Sequence, residues 1–325
     1  MQHILTGSQN LLLTESISES LAGRAAVLRL PPLSRREISG NPGRGLPWEP
    51  RSRTKQEPVR PAHLWNEFLR GSYPELSIDP SRNISLWHAS YIQTYLERDV
   101  RSLRQIGNLT QFQSFLRVLA ARTGQLLNLT DISRDLGIAV NTARAWLSVL
   151  EASFQVIVLR PYFANTGKRL VKTPKIYFTD TGTLCYLVGL KDPGHAASGP
   201  MAGAIFETAV LSEVMKVFLA RGEDPQLFFL RTSAGSEVDL IIETGGRTLN
   251  SFLRSRKLVV RRSWPPTLKQ TAYFFSTAGQ LRMRVMGVAE VSSATFMRKR
   301  PSGATAYCPL EMAPPSPVPP PAMRV

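Results

Sequence analysis

Three acidic residues in the second half of the chain have the types and spacing that divalent-cation chemistry requires. Glu237 and Asp239 lie two residues apart in a run that predicts a strand, so their side chains share one face of a sheet. Glu207 lies on an amphipathic run that predicts a helix. Because carboxylates hold the cation of a metal-dependent nuclease, Glu207 and Asp239 are candidate catalytic residues, and Asp239 is the candidate metal ligand. The alternative is that all three are ordinary surface acids.

A nuclease of this kind also needs a lysine that orients the attacking water. The regular apolar pattern ends at Leu249, soon after the candidate strand. Lys257 or Arg256 could serve if residues 252–260 formed the next strand. The nuclease hypothesis therefore depends on a lysine that the pattern does not clearly supply.

A helix-turn-helix pattern precedes the acidic residues. Residues 109–121 have the apolar spacing of a helix, and two more helical runs follow closely, separated by Gly137, with Thr130 or Asp131 as the expected cap of the first. This arrangement is typical of DNA-binding helix pairs, although it is equally the pattern of a small helical packing module. On the second helix the outward residues suited to phosphate and base-edge contacts are Asn141, Thr142 and Arg144.

Two β-rich runs after these helices predict a hairpin that resembles a wing. Its basic residues would contribute to binding of a duplex; the alternative is that the hairpin is a solvated charged surface. These residues are Lys168, Arg169, Lys172 and Lys175.

The net charge of +16 in 325 residues invites a nucleic-acid partner, since lysine and arginine displace counterions from phosphate. The charge is unevenly distributed: residues 250–325 hold 12 basic residues and 2 acidic residues, a net of +10. This segment ends in a Pro-rich run and is predicted to be a disordered basic tail. No run is long and apolar enough to span a membrane and none reads as a secretory signal, so we expect a cytoplasmic protein without a membrane partner.

The first residues have weak features of a nucleotide site. The run LTGSQN places Ser8 at the end of an apolar strand, where α/β sheets bind ligands, and Arg24 follows a helix-ending glycine. However, the chain contains no GxxxxGK[ST] phosphate-binding loop. We therefore expect no ATP hydrolysis by this polypeptide alone.

Three separated segments together resemble one known family. They are LTGSQNLLLTESISESLAGRAAVLRL, the stretch from WHASYIQTYLERDV to GTLCYLVGL, and GAIFETAVLSEV with LRTSAGSEVDLIIE. Their order and spacing over residues 1–249 are similar to the bacterial and archaeal ATP-binding proteins that join an AAA-type ATPase core to a C-terminal domain of unknown function.

The resemblance implies a fold class and an organisation. It predicts an α+β multidomain protein with a partial AAA-type α/β core, a helical and winged-helix region, and an incomplete restriction-endonuclease-like α/β domain. Ser8 and Arg24 would be remnants of the nucleotide site, and Glu207 and Asp239 would match acidic positions of the nuclease-like domain. The expected segments are a core remnant at 1–39, a linker at 40–62, a lid-like helical region at 63–107, a winged helix-turn-helix at 108–190, the nuclease-like domain at 195–249 and the tail at 250–325.

The chain departs from the family pattern at both ends. The family's Walker A and Walker B motifs lie upstream of the strand with which this chain begins, and its Glu-apolar-Lys strand is replaced by NSFLRSRKLVV. Because residues 253–256 can be encoded so that another frame reads Glu-Ile-Lys, a frameshift near residue 249 is our hypothesis for the tail.

The leading functional expectation is a truncated, catalytically inactive member of this family. Its winged helix would bind DNA or a protein partner, and this chain would need no cofactor, whereas intact members use ATP and Mg²⁺. The alternatives are a metal-dependent nuclease and a stand-alone DNA-binding module.

Overall fold

The structure is a computed structural model, and it describes part of the chain. The side chains of residues 95, 96, 244 and 247 onward lie outside the description. The described residues are 28–43, 46, 60–96, 109–162, 171–231, 237–244, 247–254, 257–259, 273–276 and 284–285. Ser8, Arg24, Lys168 and Arg169 lie outside these ranges, as do residues 44–45 and 47–59 of the predicted linker 40–62.

Helices dominate the described residues before residue 155. A helical turn with π-type hydrogen bonding follows the fourth helix over Ile92–Leu96. The seven helices described here are α1 (Arg35–Ile38), α2 (Pro61–Arg70), α3 (Pro74–Ile78), α4 (Ile84–Tyr91), α5 (Leu109–Ala121), α6 (Leu129–Leu136) and α7 (Val140–Ala152).

Helix α5 forms where the apolar spacing predicts a helix. Its apolar residues Phe112, Phe115, Leu116 and Leu119 are fully buried. These side chains lie in one core with residues of α2, α6 and α7. The face that the periodicity predicts as internal is therefore the face that anchors the helix pair to the rest of the fold.

Helix α6 is shorter than α5 and has a clear start and stop. Asn128 caps its N-terminus, because the Asn128 side chain accepts hydrogen bonds from the amides of Thr130 and Asp131. The predicted caps, Thr130 and Asp131, are wrong: they lie in the first turn of the helix. Gly137 ends the helix with φ of 64°, a left-handed conformation that glycine adopts without strain.

The second half of the chain alternates helices with a mixed sheet, so the described part is an α+β protein. The helices are α8 (Thr181–Leu187), α9 (Pro193–Ser198) and α10 (Ala202–Ala220). The strands are β1 (Val156–Pro161), β2 (Lys175–Phe178), β3 (Gln226–Arg231), β4 (Glu237–Thr244), β5 (Arg247–Arg254), β6 (Lys257–Val259), β7 (Tyr273–Ser276) and β8 (Arg284–Val285).

The strands pair in the order β2-β1-β3-β4-β5-β6-β7-β8. Strand β1 pairs antiparallel with β2 and parallel with β3, while β3 and β4 pair antiparallel. The predicted wing strands therefore belong to the same sheet as the strand that carries Glu237 and Asp239. Strand β5 also crosses Leu249, where the regular sequence pattern ends.

Helix α10 packs against this sheet and is buried along most of its length. Its residues contact both the helical core and the sheet core, since Ile205 and Ala209 lie in the first and Leu211 and Phe218 in the second. A helix that is apolar on nearly all sides belongs in the interior of a fold. Among the described residues, no helix has the length and apolarity to cross a membrane.

Candidate active site

An open cleft of about 460 Å³ lies where α10 meets the sheet. Its acidic residues are Glu207 from α10 and Glu237 and Asp239 from β4, and its basic residues are Lys175 from β2 and Arg231 from β3. We call these five residues the charged cleft. Glu207 and the Glu237–Asp239 pair, which the sequence analysis singled out as candidate site residues, therefore line the same cleft.

Strand pairing explains how residues so distant in sequence converge. Strand β1 joins β2 to β3, and β3 brings β4 alongside, with Arg231 opposite Glu237 in the register. In a strand, residues two apart point to the same face, so Lys175 and Tyr177 face the cleft together. The sheet order thus places the ammonium group of Lys175 against the carboxylates of β4.

Lys175 is the central cation of the cleft. Its Nζ lies 2.5 Å from Glu237 Oε1 and 3.7 Å from Asp239 Oδ1, and its side chain is only 4% exposed. The ammonium group also lies 5.5 Å from the centre of the Phe229 ring, within the range of a cation–π contact. A buried ammonium group is costly without opposite charges, so these carboxylates and Lys175 stabilise one another.

Glu237 is paired with two basic side chains of the cleft. Glu237 Oε1 is fully buried and faces the ammonium group of Lys175. The other carboxylate oxygen, Oε2, lies 3.6 Å from a guanidinium nitrogen of Arg231. Each of the two carboxylate oxygens of Glu237 therefore faces a basic side chain.

Glu207 occupies the helix side of the cleft. The hydroxyl of Tyr177 donates a hydrogen bond of 3.3 Å to Glu207 Oε2. Burial raises the pKa of Glu207 to about 7, and the negative charge of Asp239 adds to the rise, whereas Lys175 and the Tyr177 hydrogen bond oppose it. Burial, together with Glu207, also raises the pKa of Tyr177, which therefore stays protonated as a donor.

The donor set of the cleft fits a hard divalent cation. Mg²⁺ and Mn²⁺ prefer carboxylate oxygens, and the cleft supplies three carboxylates, from Glu207, Glu237 and Asp239. Glu237 Oε1, buried beside Lys175 Nζ, is one such oxygen. However, within the part of the chain that the structure describes, no group of three or more His, Cys, Asp and Glu side chains has the geometry to hold a metal ion. Cation binding thus requires the carboxylates to rearrange around Lys175.

The structure corrects the sequence interpretation of Lys175. The sequence predicts an exposed hairpin residue that contacts a duplex, but Lys175 is buried in the charged cleft, because β2 pairs with β1 and packs against α10. The sequence search for a catalytic lysine considered only Lys257 and Arg256, which follow Asp239. Strand β6 contains Lys257, whereas Arg256 lies outside the described residues. The signal in the sequence that points to Lys175 is its place at the start of the apolar run KIYF, where a strand carries it into the fold.

The outward face of α7 is placed as its sequence predicts. Asn141 and Arg144 are exposed, and Thr142 is half-buried. An Arg144 guanidinium nitrogen donates to Asn141 Oδ1 at 3.3 Å. Lys172, which precedes β2, is also exposed. These positions leave polar and basic groups in contact with solvent, as a nucleic-acid-binding surface requires.

A second polar cluster is enclosed in the helical core. Asp180 accepts hydrogen bonds from the amide and hydroxyl of Ser72 and from the amide and hydroxyl of Thr183. Lys216 of α10 donates to the Ser72 hydroxyl at 2.7 Å. Because all four side chains are buried, this cluster joins α2, α8 and α10 and is closed to solutes.

Comparisons with known proteins match two domains of unknown function. Residues 62–194 match the model of the domain DUF8612, and residues 202–252 match the model of the domain DUF4143. DUF4143 is found in proteins associated with AAA-type ATPases. No solved structure matches the chain.

Two uncharacterized mycobacterial proteins are similar to the chain. One is from Mycobacterium tuberculosis and the other from Mycobacterium bovis, and each is 31% identical over 245 residues, which is 75% of this chain. The chain spans 50% of the length of each relative. Both relatives are uncharacterized, so the comparison shows similarity of sequence and no activity.

Proposed function

We propose that the charged cleft hydrolyses phosphodiester bonds in nucleic acid, in the manner of a metal-dependent nuclease. One observation supports this most strongly: the carboxylates of Glu207, Glu237 and Asp239 surround the buried ammonium group of Lys175. Strand β2 thereby offers the lysine that the chemistry requires, independently of the residues after Leu249.

Each residue has a distinct role in this proposal. Glu237 and Asp239 would be the cation ligands, with Glu207 completing the carboxylate set. A bound cation would polarise the phosphate and lower the pKa of a water molecule. Lys175 would donate to that water or to a phosphate oxygen, and the hydroxyl of Tyr177 would orient the Glu207 carboxylate. Arg231, 40% exposed at the cleft rim, would attract the phosphate backbone.

A cleavage assay with a matched control tests the proposal. The full chain is incubated with end-labelled duplex DNA, single-stranded DNA and RNA in Mn²⁺ or Mg²⁺. We expect cation-dependent cleavage that falls at least about 100-fold in Asp239→Asn, since one ligand loses its charge. Glu243→Gln is the control, because Glu243 lies on the same strand and does not line the cleft. The absence of cleavage of every nucleic acid would contradict the proposal.

A second candidate function is DNA or partner binding without catalysis, as the leading sequence hypothesis expects. It is favoured by the exposed side chains of Asn141 and Arg144 on α7 and of Lys172 before β2. The double variant Arg144→Ala, Lys172→Ala should weaken duplex binding about tenfold and flatten its salt dependence, since two phosphate contacts are removed. No measurable binding of the wild-type chain at low salt would exclude DNA as the partner.

We further propose that this region works beside an AAA-type module that binds ATP and Mg²⁺. Its support is the DUF4143 match and the order of the segments that resemble AAA-type proteins. The sequence has no GxxxxGK[ST] loop, so this polypeptide is expected to bind ATP weakly at most. Isothermal titration of the full chain with ATP and Mg²⁺ checks this, and micromolar or tighter binding would contradict it.

A further inference from the structure

The turn that joins α5 to α6 also forms one wall of the charged cleft. We call residues 123–127 the bridging turn; its residues Gly124, Gln125 and Leu126 line the cleft beside Glu207 and Lys175. At Asn128, directly after the turn, helix α6 is capped. The bridging turn is thus in contact with the cleft on one side and continuous with the helix pair on the other.

The bridging turn is hydrogen-bonded along strand β2. The Gly124 amide donates to the carbonyl of Ile176, and the Leu127 amide donates to the carbonyl of Pro174, both at 2.8 Å. The Ile176 amide donates back to the carbonyl of Gln125 at 3.3 Å, and Leu126 forms a β-bridge with Lys175. These bonds flank Lys175 on both sides in the sequence, so any movement of the turn would move the cleft lysine.

The bridging turn is equally tied to helix α10 at Glu207. The hydroxyls of Thr123 and Thr208 lie 3.1 Å apart and are both buried. Thr208 directly follows Glu207. Gly124 has φ of 77°, and a β-carbon there would lie 3.4 Å from Glu207 Oε2. That distance is an ordinary van der Waals contact, so it is the backbone conformation of Gly124 that favours glycine at this position.

An ion pair and a shared core complete the connection to the helix pair. Arg122, just before the turn, contacts Asp135 of α6 at 2.7 Å. Helices α6 and α7 then pack through Ile132 and Ala143, which are fully buried. Hydrogen bonds, an ion pair and a buried core thus link the exposed face of α7 to Lys175 and Glu207 without an unattached segment in between.

We propose that the bridging turn joins the α6–α7 pair and the charged cleft into a single rigid unit that binds duplex DNA. The outward face of α7 binds the duplex, and the same duplex reaches the cleft at a constant distance from the bound site. This inference rests on the proposed nuclease function and on binding by α7. It assigns the substrate class as duplex DNA and gives the helix pair a positioning role.

An insertion in the full chain tests the coupling. Gly-Ser is added between Leu127 and Asn128, with the same insertion after Lys191, an exposed residue far along the chain from the turn, as the control. In the wild type and the control, cleavage of an end-labelled duplex should fall at one constant offset from the protected site. The Leu127 insertion should keep duplex affinity within about threefold but lower the cleavage rate about tenfold and spread the cut positions, since orientation is lost.

Two readouts separate this inference from the proposed function. If the wild type cleaves and the Leu127 insertion cuts at the same positions and rate, the coupling is wrong and the nuclease proposal stands. If the wild type does not cleave, the nuclease proposal fails, and the Mn²⁺ dependence of duplex affinity then tests the coupling. Mn²⁺ should raise affinity in the wild type and not in the Leu127 insertion; an equal response, or none in either protein, would overturn the inference.

Discussion

The charged cleft and the outward face of α7 use charge in opposite ways. In the cleft, Lys175 is buried and its charge is compensated by Glu237 and Asp239 within the fold. On α7, Arg144 is exposed and donates to its neighbour Asn141. Buried charges affect both folding and chemistry, whereas exposed ones are available mainly to a partner. Substitutions in the two regions should therefore separate stability from binding.

Removal of the cleft cation should have the largest effect on stability. Lys175→Met leaves Glu237 and Asp239 partly buried without their counter-ion, which should lower the free energy of unfolding by about 3 kcal/mol. Urea denaturation measures the change. Lys172→Met is the matched control, because Lys172 is exposed and lies on the same segment, and it should change stability by less than about 0.5 kcal/mol. Equal changes in the free energy of unfolding for the two substitutions would contradict the difference between buried and exposed charge.

Glu207 should make stability depend on pH. Its folded-state pKa is raised from 4.5 to about 7, so the favourable contribution of its protonated form is complete below pH 4.5 and is lost as the pH rises through 7. Glu207→Gln remains neutral throughout. The difference in the free energy of unfolding, variant minus wild type, should therefore increase by about 2 kcal/mol from pH 5 to pH 8, because each pKa unit corresponds to about 1.4 kcal/mol. Parallel stability curves for the two proteins over this range would contradict the burial of Glu207.

The contact between the cleft and the bridging turn should have an intermediate effect. Thr123→Val and Thr208→Val each remove one partner of a buried hydroxyl pair and should lower stability by about 1 kcal/mol. In the double variant the loss should be smaller than the sum, because both changes remove the same hydrogen bond. Additive losses in urea denaturation would show that the two hydroxyls do not interact.

The smallest stability effect is expected on α7. Arg144→Ala should change the free energy of unfolding by less than about 0.5 kcal/mol, since the side chain is exposed, while weakening duplex binding. Ser148→Ala, one helical turn further on the same exposed face, is the matched neutral control. A loss of stability comparable to that of Lys175→Met would refute the contrast with the cleft.

Local patterns were reliable guides to local structure. The spacing of Phe112, Phe115 and Leu119 predicts the buried face of α5, and Gly137 predicts the end of α6. The same kind of pattern also predicts that Asn141 and Arg144 point outward. These features depend on helix periodicity and backbone conformation, which are properties of a few neighbouring residues.

The composition of the cleft depends on strand pairing that local patterns do not contain. Glu237 and Asp239 are recognisable as a pair because they lie two apart on one strand. Lys175 joins them only because β1 pairs with both β2 and β3, which brings together residues more than 60 positions apart. The α6 cap shows the same limit on a smaller scale: Asn128, Thr130 and Asp131 all favour a helix start, and the backbone geometry selects Asn128.

Direct measurement of cation binding is the sharpest test of the charged cleft. Mn²⁺ is titrated into the full chain and into Asp239→Asn at pH 8, where most Glu207 side chains are ionised, and bound Mn²⁺ is followed by electron paramagnetic resonance. We predict one bound Mn²⁺ per wild-type chain and at least about tenfold weaker binding in the variant, because one charged ligand is lost. No Mn²⁺ binding by the wild type, or equal affinity in both proteins, would contradict the assignment of the charged cleft as a cation-dependent active site.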